Sequence, residues 1–539
     1  MTIPIIDLFA GPGGLGEGFS SVKADDGKPY FKIGLSVEKD KFAHQTLLLR
    51  SVFRHLNQTG ETEAYYQYLR KEIDENTFRA HPAVAGAYKL AETEARCIEL
   101  GKYAEDQLDD EIEFVLRGSA DWVLIGGPPC QAYSVAGRSR RTNDCNFEED
   151  EKHFLYREYL RIIRVHKPTL FVMENVKGLL SSKHSGRSIF ERIIHDLSSP
   201  EKGLEYEIRS FTTSAKSEYL KPNDYIIKSE DYGIPQSRHR VILLGVRREH
   251  GQIRHSALVP QAQKITVSDV LSGLPKIRSR LSRNDSPNSW GLALEACKAI
   301  TSQNSGFSSY LETTIEQNLS SSPWQLGVGA SFMEGQPDRI IRFQELDEWI
   351  SDETLGGICQ HEARSHMSLD LSRYFFASCF AEVFGSSPSI NDYPEGLLPN
   401  HRNIHKSGNV ATPFKDRFKV QRSNEPGTTV VAHIAKDGHY YIHYDPSQCR
   451  TLTVREAARL QTFPDNYYFV GNRTEQYTQV GNAVPPLLAF KIGSIVRGLL
   501  EQIKKSPVVP DREKTGIGNN KLEKKTATEQ QYLPMVMDQ

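Results

Sequence analysis

One cysteine of this chain stands where a nucleophile could work. Cys130 lies in the run Gly-Gly-Pro-Pro-Cys-Gln at residues 126–131, directly after the hydrophobic residues 122–125. The hydrophobic run predicts a buried strand, and the glycines and prolines predict a stiff, open turn at its carboxyl end. An arbitrary cysteine is more often an inert core residue. Here the turn favours an accessible thiol, and thiols at such positions serve covalent catalysis.

Two further polar groups border buried strands. Glu174 follows the predicted strand 169–173, which repeats the arrangement around Cys130. It could be a surface carboxylate, but polar groups at the carboxyl ends of two strands favour a site acid. Arg238 and Arg240 precede another buried strand, and in an extended chain their guanidinium groups share one face. Such a pair suits contacts with carboxylates, phosphates or base edges, although an isolated pair is usually solvated surface.

A glycine-rich stretch near the amino terminus predicts a nucleotide-type site. Gly11, Gly13 and Gly16 satisfy the spacing G-x-G-x-x-G, after the predicted strand 3–8 and before a helical pattern. Glu38 ends a second predicted strand, at the chain distance where an acidic residue grips a ribose hydroxyl. A structural glycine turn is the alternative. The position between strand and helix, together with Glu38, favours a bound cofactor of the adenosine type.

Composition narrows the class of protein. The 539 residues carry a net charge of -2, so a polyanion would have to bind a local patch. The seven cysteines include no Cys-x-x-Cys pair, which argues against a disulfide framework or zinc site and favours an intracellular setting. His361 and His366 are five residues apart and miss the zincin spacing, so no metal is predicted. No signal peptide and no apolar stretch long enough to span a bilayer are recognised, so no membrane association is expected.

Taken together, the motifs resemble those of the DNA cytosine-5 methyltransferases of bacterial restriction-modification systems. The matching pieces occur in the order usual for that family: residues 7–14 (Asp-Leu-Phe-Ala-Gly-Pro-Gly-Gly), 126–131 (Gly-Gly-Pro-Pro-Cys-Gln), 173–176 (Met-Glu-Asn-Val), 233–240 (Gly-Ile-Pro-Gln-Ser-Arg-His-Arg), 455–464 (Arg-Glu-Ala-Ala-Arg-Leu-Gln-Thr-Phe-Pro) and 479–482 (Gln-Val-Gly-Asn). Each piece alone could mislead, but six in order are specific.

The resemblance implies an α/β fold, with a doubly wound, Rossmann-like S-adenosylmethionine-dependent methyltransferase domain and a smaller target-recognition domain. The expected catalytic domain spans residues 1–250, with a helical insertion over about 39–117. The target-recognition domain would cover 251–450, residues 451–504 would return to the catalytic domain, and 505–539 would form a polar, disordered tail. The residue patterns also predict helices over 42–53 and 83–100, a strand-rich segment over 428–444, and a helix over 453–461 with Thr453 as its cap. Residues 479–486 are expected to form a turn before a final helix over 487–503.

The resemblance also implies roles for single residues. Cys130 would add to carbon 6 of a flipped cytosine, Glu174 would hold the ring at N3 and the exocyclic amine, and Arg240, aided by Arg238, would orient the base and the carboxylate. The implied contacts of S-adenosylmethionine are Phe9, Gly11, Gly13, Gly14, Glu38, Pro128, Leu155 and Asn482. An acid that usually follows the third strand of the family has no clear counterpart, because the insertion hides it.

The expected partner is double-stranded DNA. The enzyme is expected to be a monomer and to act in the cytoplasm. A separate cognate restriction endonuclease is a candidate partner. Two alternatives stay open: a cytosine-5 methyltransferase of RNA, and a non-catalytic DNA-binding paralogue. The length of segment 251–450 favours DNA, because reading a duplex needs a large surface. The presence of both Cys130 and Glu174 argues against the paralogue.

Overall fold

The computed structural model describes residues 2–129, 152–184, 187–250, 253–302, 308–321, 325–340, 342–399 and 417–505. Cys130 therefore lies outside the described residues, and so does nearly all of the predicted polar tail. The rest of the proposed site lies within them.

The amino-terminal half alternates strands and helices. Its strands are β1 Ile3–Leu8, β2 Phe31–Glu38, β3 Ala95–Cys97, β4 Val123–Gly126, β5 Leu170–Val176, β6 Lys183–His184, β7 Arg187–Ser188, β8 Tyr206–Ser210, β9 Ile226–Lys228, β10 Gln236–Ser237 and β11 His239–Arg247. Its helices are α1 Gly14–Ser20, α2 Lys41–Thr59, α3 Glu63–Leu69, α4 Glu75–Ala80, α5 Pro82–Glu94, α6 Glu105–Leu116, α7 Lys152–His166 and α8 Ile189–Ser198.

These strands build a central sheet in the order β3-β2-β1-β4-β5-β11-β8, and β9 pairs with the start of β11. Strands β1 to β5 run parallel, whereas β11 runs antiparallel to both β5 and β8. The chain order reverses direction between β1 and β4, which makes the carboxyl ends of these two strands the topological switch point where ligands bind in such sheets. The predicted doubly wound α/β fold is confirmed.

The central strands are buried on both faces by helices. Hydrophobic side chains of β1, such as Ile5, belong to a cluster on one face, and those of the opposite phase, such as Ile6, belong to a cluster on the other. This two-sided burial explains why these strands read as continuous apolar runs in the sequence.

The predicted helical insertion is present, with one difference. Helices α2 to α6 lie between β2 and β4, and α2 packs on α5. The expected helix over 83–100 ends at Glu94, because Ala95–Cys97 forms β3 and pairs in parallel with the end of β2. Pairing of these residues with the open edge of the sheet replaces the last helical turns. Hydrophobic periodicity alone does not indicate this pairing.

The second half of the chain is more helical than expected. Its elements are α9 Val267–Leu271, β12 Arg280–Leu281, α10 Pro287–Thr301, α11 Ser309–Ser321, β13 Gly329–Glu334, α12 Gln344–Ile350, β14 Gly357–Glu362, β15 Ser365–His366, α13 Ser368–Phe384 and β16 Gly427–Thr428. Helices α10, α11 and α13 pack around Trp290 and Tyr374 in a hydrophobic cluster whose members all fall between residues 281 and 449. A separate domain needs a hydrophobic core of its own, and this cluster meets that requirement.

The expected strand-rich character of 428–444 is not observed. In that segment the structure describes β16 and isolated bridges, such as the one between Val420 and Ile442. Residues 428–444 instead form mostly turns, in which side chains bond to backbone groups. Strand-like composition was therefore overridden by tertiary context.

The last three helices return to the first half. They are α14 Val454–Leu460, α15 Arg473–Asn482 and α16 Pro486–Lys505. The predicted cap is confirmed, because the Thr453 hydroxyl accepts the N–H of Glu456 and the Glu456 carboxylate accepts the N–H of Thr453. Of residues 479–486, expected as a turn, 479–482 form the end of α15, and the break between α15 and α16 is confined to 483–485.

The expectation about membrane-spanning length needs correction. A window within Arg473–Lys505 is long and apolar enough to cross a bilayer by length and composition, but 72% of that window is buried inside the protein. A Cβ placed on Gly18 of α1 would lie 2.4 Å from the Cβ of Ala489 in α16. The apolar face of α16 thus serves the protein core.

Candidate active site

The glycine loop lies at the switch point and has a strained backbone. After β1, Phe9, Gly11 and Gly13 all adopt positive φ angles of 58°, 58° and 98°. For phenylalanine this conformation is unfavourable, and such strain concentrates at functional sites. Gly11 has no atom within 4 Å of the position where a Cβ would stand, so open space adjoins the loop here.

Glu38 joins the loop to the end of β2. Its Oε2 accepts the N–H of Gly11 at 2.8 Å, and its Oε1 accepts the N–H of Asp40 at 2.7 Å. Burial raises the pKa of Glu38, and the two backbone N–H groups oppose this rise. The structure thus brings Glu38 and the loop together, as the sequence spacing predicts.

The turn after β4 packs closely against β1 and β5. A Cβ on Gly126 would lie 2.5 Å from the carbonyl oxygen of Leu8, so only glycine fits there. The side-chain Nδ2 of Asn175 donates to the carbonyl of Pro128 at 3.1 Å. A Cβ on Gly127 would lie 3.1 Å from Oε2 of Glu174. The chain leading to residue 130 is therefore fixed beside the Glu174 carboxylate.

Glu174 and Arg240 form an ion pair, with 2.9 Å between Oε1 and Nε. Glu174 lies within β5 rather than after it, and the antiparallel register places Arg240 opposite Val176. The two side chains are 14% and 15% exposed, so the pair is largely shielded from bulk water. Arg240 also donates to the carbonyl of His239 at 2.9 Å.

Arg238 lies elsewhere than expected. It is 2% exposed and donates to the carbonyl oxygens of Val430 at 2.7 Å and Gly481 at 3.4 Å. Its N–H bonds to the carbonyl of Gln236, two residues back, and this kinks the chain between β10 and β11. Arg238 thus supports the backbone around the site. Burial and the nearby Arg240 charge lower the pKa of its guanidinium, and the nearby Glu174 carboxylate opposes this.

The remaining predicted cofactor residues surround the loop. Leu155 of α7 is buried in the cluster that Phe9 packs against. Asn482 ends α15 and is exposed, and two residues later the Val484 carbonyl lies 2.2 Å from where a Cβ on Gly14 would stand. Glycine at position 14 therefore lets the loop before α16 touch the start of α1.

The sequence is similar to a known protein family and to proteins of known activity. The profile of the C-5 cytosine-specific DNA methylase family matches residues 104–497, more than half of the chain. The chain belongs to this family. It is 32% identical to the type II methyltransferase M.Bpa9945I of Bacillus paralicheniformis, over 92% of this chain and 99% of that protein. It is 26% identical to M.AgeI of Thalassovita gelatinovora (91% and 98%) and 24% identical to the DNA (cytosine-5-)-methyltransferase M.ApeKI of Aeropyrum pernix (92% and 99%).

The protein is thus a DNA cytosine-5 methyltransferase of the restriction-modification type, and methyltransferases of this family use S-adenosylmethionine. Among the residues that the structure describes, no group of three or more His, Cys, Asp or Glu side chains is arranged to hold a metal ion. His361 and His366 are buried and bond to the hydroxyls of Thr453 and Thr451, respectively.

Sequence reasoning missed two residues that support this methyltransferase site. Asn175, next to Glu174 in the Met-Glu-Asn-Val motif, ties β5 to the Pro-Pro turn. Asp7, in the Asp-Leu-Phe motif, is fully buried beneath the glycine loop, and neither of its carboxyl oxygens has a hydrogen-bond partner among the described residues. Both lie inside quoted motifs, so their position next to the predicted site residues was the available signal.

Proposed function

We propose that this enzyme transfers a methyl group to carbon 5 of a cytosine flipped out of a specific duplex sequence, through a covalent bond to Cys130. The observation that carries the proposal is the Glu174–Arg240 ion pair, whose carboxylate lies beside Gly127 in the Gly-Gly-Pro-Pro turn. A flipped base leaves the stack at a cost of a few kcal/mol, and it needs a shielded pocket with fixed polar groups to receive it.

The chemistry requires these residue types. The Cys130 thiolate forms a bond to carbon 6, and the electron pair of the C5–C6 double bond moves to carbon 5. The Glu174 carboxyl shares a proton with N3, so negative charge does not accumulate on the ring. Carbon 5 would then form a bond to the methyl group of the donor, whose sulfur keeps the electron pair of the broken S–C bond and leaves as a neutral thioether. Loss of the C5 proton to a base restores the double bond and releases the thiolate.

Arg240 has two tasks in this proposal. Its Nε holds Oε1 of Glu174 in place, so that the second carboxyl oxygen can face the base. The other nitrogens of the Arg240 guanidinium can donate to the base itself, because the guanidinium group is planar and rigid and stays charged. Arg238 would act indirectly, by fixing the backbone before β11.

The glycine loop fits the methyl donor. S-adenosylmethionine, when bound, supplies the methyl group as an electrophile. The open space at Gly11, the left-handed backbone of Gly13 and the carboxylate of Glu38 suit a ligand with a ribose. The residues that would hold it are Phe9, Gly11, Gly13, Gly14, Glu38, Pro128, Leu155 and Asn482.

We also propose the domain division given above. Residues 1–250 and 451–504 would form the catalytic domain, and 251–450 would read the target on double-stranded DNA. The separate hydrophobic cluster between residues 281 and 449 supports this division. The enzyme would act as a monomer in the cytoplasm, with any restriction endonuclease acting separately.

The test uses unmethylated bacterial genomic DNA and S-adenosylmethionine labelled in the methyl group. The wild type should transfer label to cytosine, and Cys130→Ala should transfer none. Glu174→Gln should lower kcat by about 10²- to 10⁴-fold, the usual contribution of an acid–base group. Cys97→Ala is the control for the loss of a thiol, because it removes an exposed thiol that lies beside Glu38 on β3 and not in the Pro-Pro turn.

Two further measurements complete the test. A duplex with 5-fluorocytosine at the target should trap a covalent adduct with the wild type but not with Cys130→Ala. Transfer that persists in Cys130→Ala would refute the covalent mechanism. Preferential labelling of transfer RNA in a competition with duplex DNA would favour the RNA alternative.

A further inference from the structure

A cleft of about 440 Å³ opens beside the candidate active site. Three chain segments line it: β10, the turn after α13, and the stretch from residue 418 to β16. The lining residues that matter below are Ser237, Ser386, Lys419, Gln421, Arg422 and Thr428.

The cleft is tied to the catalytic strands. Ser237 of β10 pairs with Thr428 of β16, and the Thr429 hydroxyl donates to the Ser237 carbonyl at 2.6 Å. Ser237 lies three residues before Arg240, and an extended chain advances about 3.3 Å per residue, so their Cα atoms are at most about 10 Å apart, and the kink at Arg238 brings them closer. Phosphates of one DNA strand advance about 3.4 Å along the helix axis per nucleotide. The cleft therefore lies within about three nucleotides of a cytosine held at Arg240.

Two side chains of the cleft that could read a base edge are already occupied. Oε1 of Gln421 accepts the N–H of Thr428 at 2.9 Å, and its Nε2 donates to the Tyr440 carbonyl at 2.8 Å. The Arg422 guanidinium donates to the Gly385 carbonyl and to the Glu425 carboxylate. Amide and guanidinium groups give the paired contacts that distinguish bases. Here both serve the protein's own structure.

The groups left free in the cleft are of another kind. Lys419 is half-buried, and among the described residues no carboxylate lies within 4 Å of its Nζ. In the same described part of the chain, the hydroxyls of Ser237 and Ser386 have no hydrogen-bond partner. An ammonium with two hydroxyls supplies a point charge and single donors, which suit the oxygens of a phosphate.

We propose that this cleft binds a phosphodiester of the DNA duplex within about three nucleotides of the target cytosine, with Lys419 as the charged contact and Ser237 and Ser386 as hydroxyl donors. The inference rests on the proposed function, because it takes the target base to lie at Glu174 and Arg240. Such a contact positions the duplex without reading its sequence.

The first experiment measures the salt dependence of DNA binding by the full-length enzyme. The probe is a duplex carrying the target that methylation-sensitive sequencing has mapped. Lys419→Met should lower the slope of log affinity against log salt by about one, the value for one lost phosphate contact. KM for DNA should rise about tenfold at low salt, as the loss of one charged hydrogen bond predicts, while kcat is retained. Lys419→Arg should restore the slope.

The matched control is Lys89→Met. Lys89 is exposed on α5, in the helical insertion, and its loss makes the same change in net charge. Its slope and KM should equal those of the wild type. A drop of similar size in Lys89→Met would show that net charge, and not the cleft, sets the effect.

The second experiment locates the contact on the DNA. Single methylphosphonate linkages, which carry no charge, are placed one at a time on either strand around the target. The wild type should lose affinity at a linkage within about three nucleotides of the cytosine. Lys419→Met should lose no further affinity at that linkage, because the contact is already absent.

The outcomes separate this inference from the proposed function. If the wild type transfers no label to any duplex, the proposed function fails. If it methylates DNA but Lys419→Met keeps the wild-type slope and KM, the phosphate site is refuted and the function stands. If Lys419→Met instead relaxes the required sequence at an unchanged slope, the cleft reads a base edge and the phosphate assignment is wrong.

Discussion

The buried carboxyl of Asp7 offers a sharp test of the structure beneath the glycine loop. Asp7 lies next to the end of β1, is fully buried, and has no hydrogen-bond partner for either carboxyl oxygen among the described residues. Burial raises the pKa of Asp7 from 3.8 to about 8, and the nearby Glu38 carboxylate adds to the rise. The Arg54 guanidinium and the Gly16 amide oppose it. The folded protein therefore holds Asp7 as a neutral acid over a wide range of pH.

The sign of the effect on stability follows from proton binding. Above about pH 4 the unfolded chain releases the Asp7 proton, while the folded protein keeps it up to about pH 8. The free energy of unfolding should therefore fall as pH rises through this window, and it should level off above pH 8. A shift of about four units, at about 1.4 kcal/mol per unit, gives an upper bound of about 6 kcal/mol for this one group.

The perturbation is Asp7→Asn, which keeps the shape of the side chain but cannot ionise. The variant should come closest to the wild type in stability near pH 4 and become progressively more stable than it up to about pH 8. The measurement is urea unfolding of both proteins, followed by tryptophan fluorescence at half-unit steps from pH 4 to pH 9. Comparing variants at each pH cancels the titration of all other groups.

Asp110→Asn provides the control for Asp7→Asn. Asp110 is exposed on α6, so its substitution makes the same chemical change at a solvated position. Its difference from the wild type should stay within about 0.5 kcal/mol, as is usual for surface substitutions. A stability difference between Asp7→Asn and the wild type that does not vary with pH would refute a neutral, buried Asp7.

Two other substitutions test the packing of the last helices. Gly18→Ala should lower the free energy of unfolding by about 1 to 3 kcal/mol, the usual cost of overpacking, because its Cβ would lie 2.4 Å from that of Ala489. Thermal unfolding measures this loss. The control is Gly498→Ala in α16, which should be neutral or stabilising because no atom lies within 4 Å of the added Cβ. Thr453→Ala removes the cap of α14 and should cost about 1 to 2 kcal/mol in the same assay. Thr453→Ser, which keeps the hydroxyl, should recover most of that loss, and equal losses in both variants would contradict the capping role.

Local patterns predicted the parts of the site that are close in sequence. The strand, the glycine turn and Glu38 follow from spacing, because a right-handed strand–helix–strand unit brings consecutive parallel strands side by side. Glu174 and Arg240 were matched by resemblance, but their 2.9 Å contact depends on the antiparallel register of β5 and β11. That register is set by contacts across the sheet, which no single stretch of sequence encodes.

Two local expectations failed where distant segments interfered. Arg238 would share a face with Arg240 in a straight strand, but the Val430 and Gly481 carbonyls, far along the chain, capture its guanidinium. Residues 479–486 have the composition of a turn, but 479–482 continue the helix that Asn472 caps, and the turn is confined to 483–485. In both cases residues outside the local stretch contribute to the structure that forms.

Long-range polar contacts also link the cofactor loop to the segment that would read DNA. The Arg50 guanidinium donates to the Glu17 carboxylate of α1 at 2.9 Å and to Oδ1 of Asn466 at 2.9 Å. Asn466 in turn donates to Asp352, which also accepts the hydroxyl of Tyr66. Buried ion pairs of this kind add little net stability compared with apolar packing, but breaking one leaves a charge unpaired. These contacts therefore connect α1, the helical insertion and residue 352, which lies in the segment 251–450.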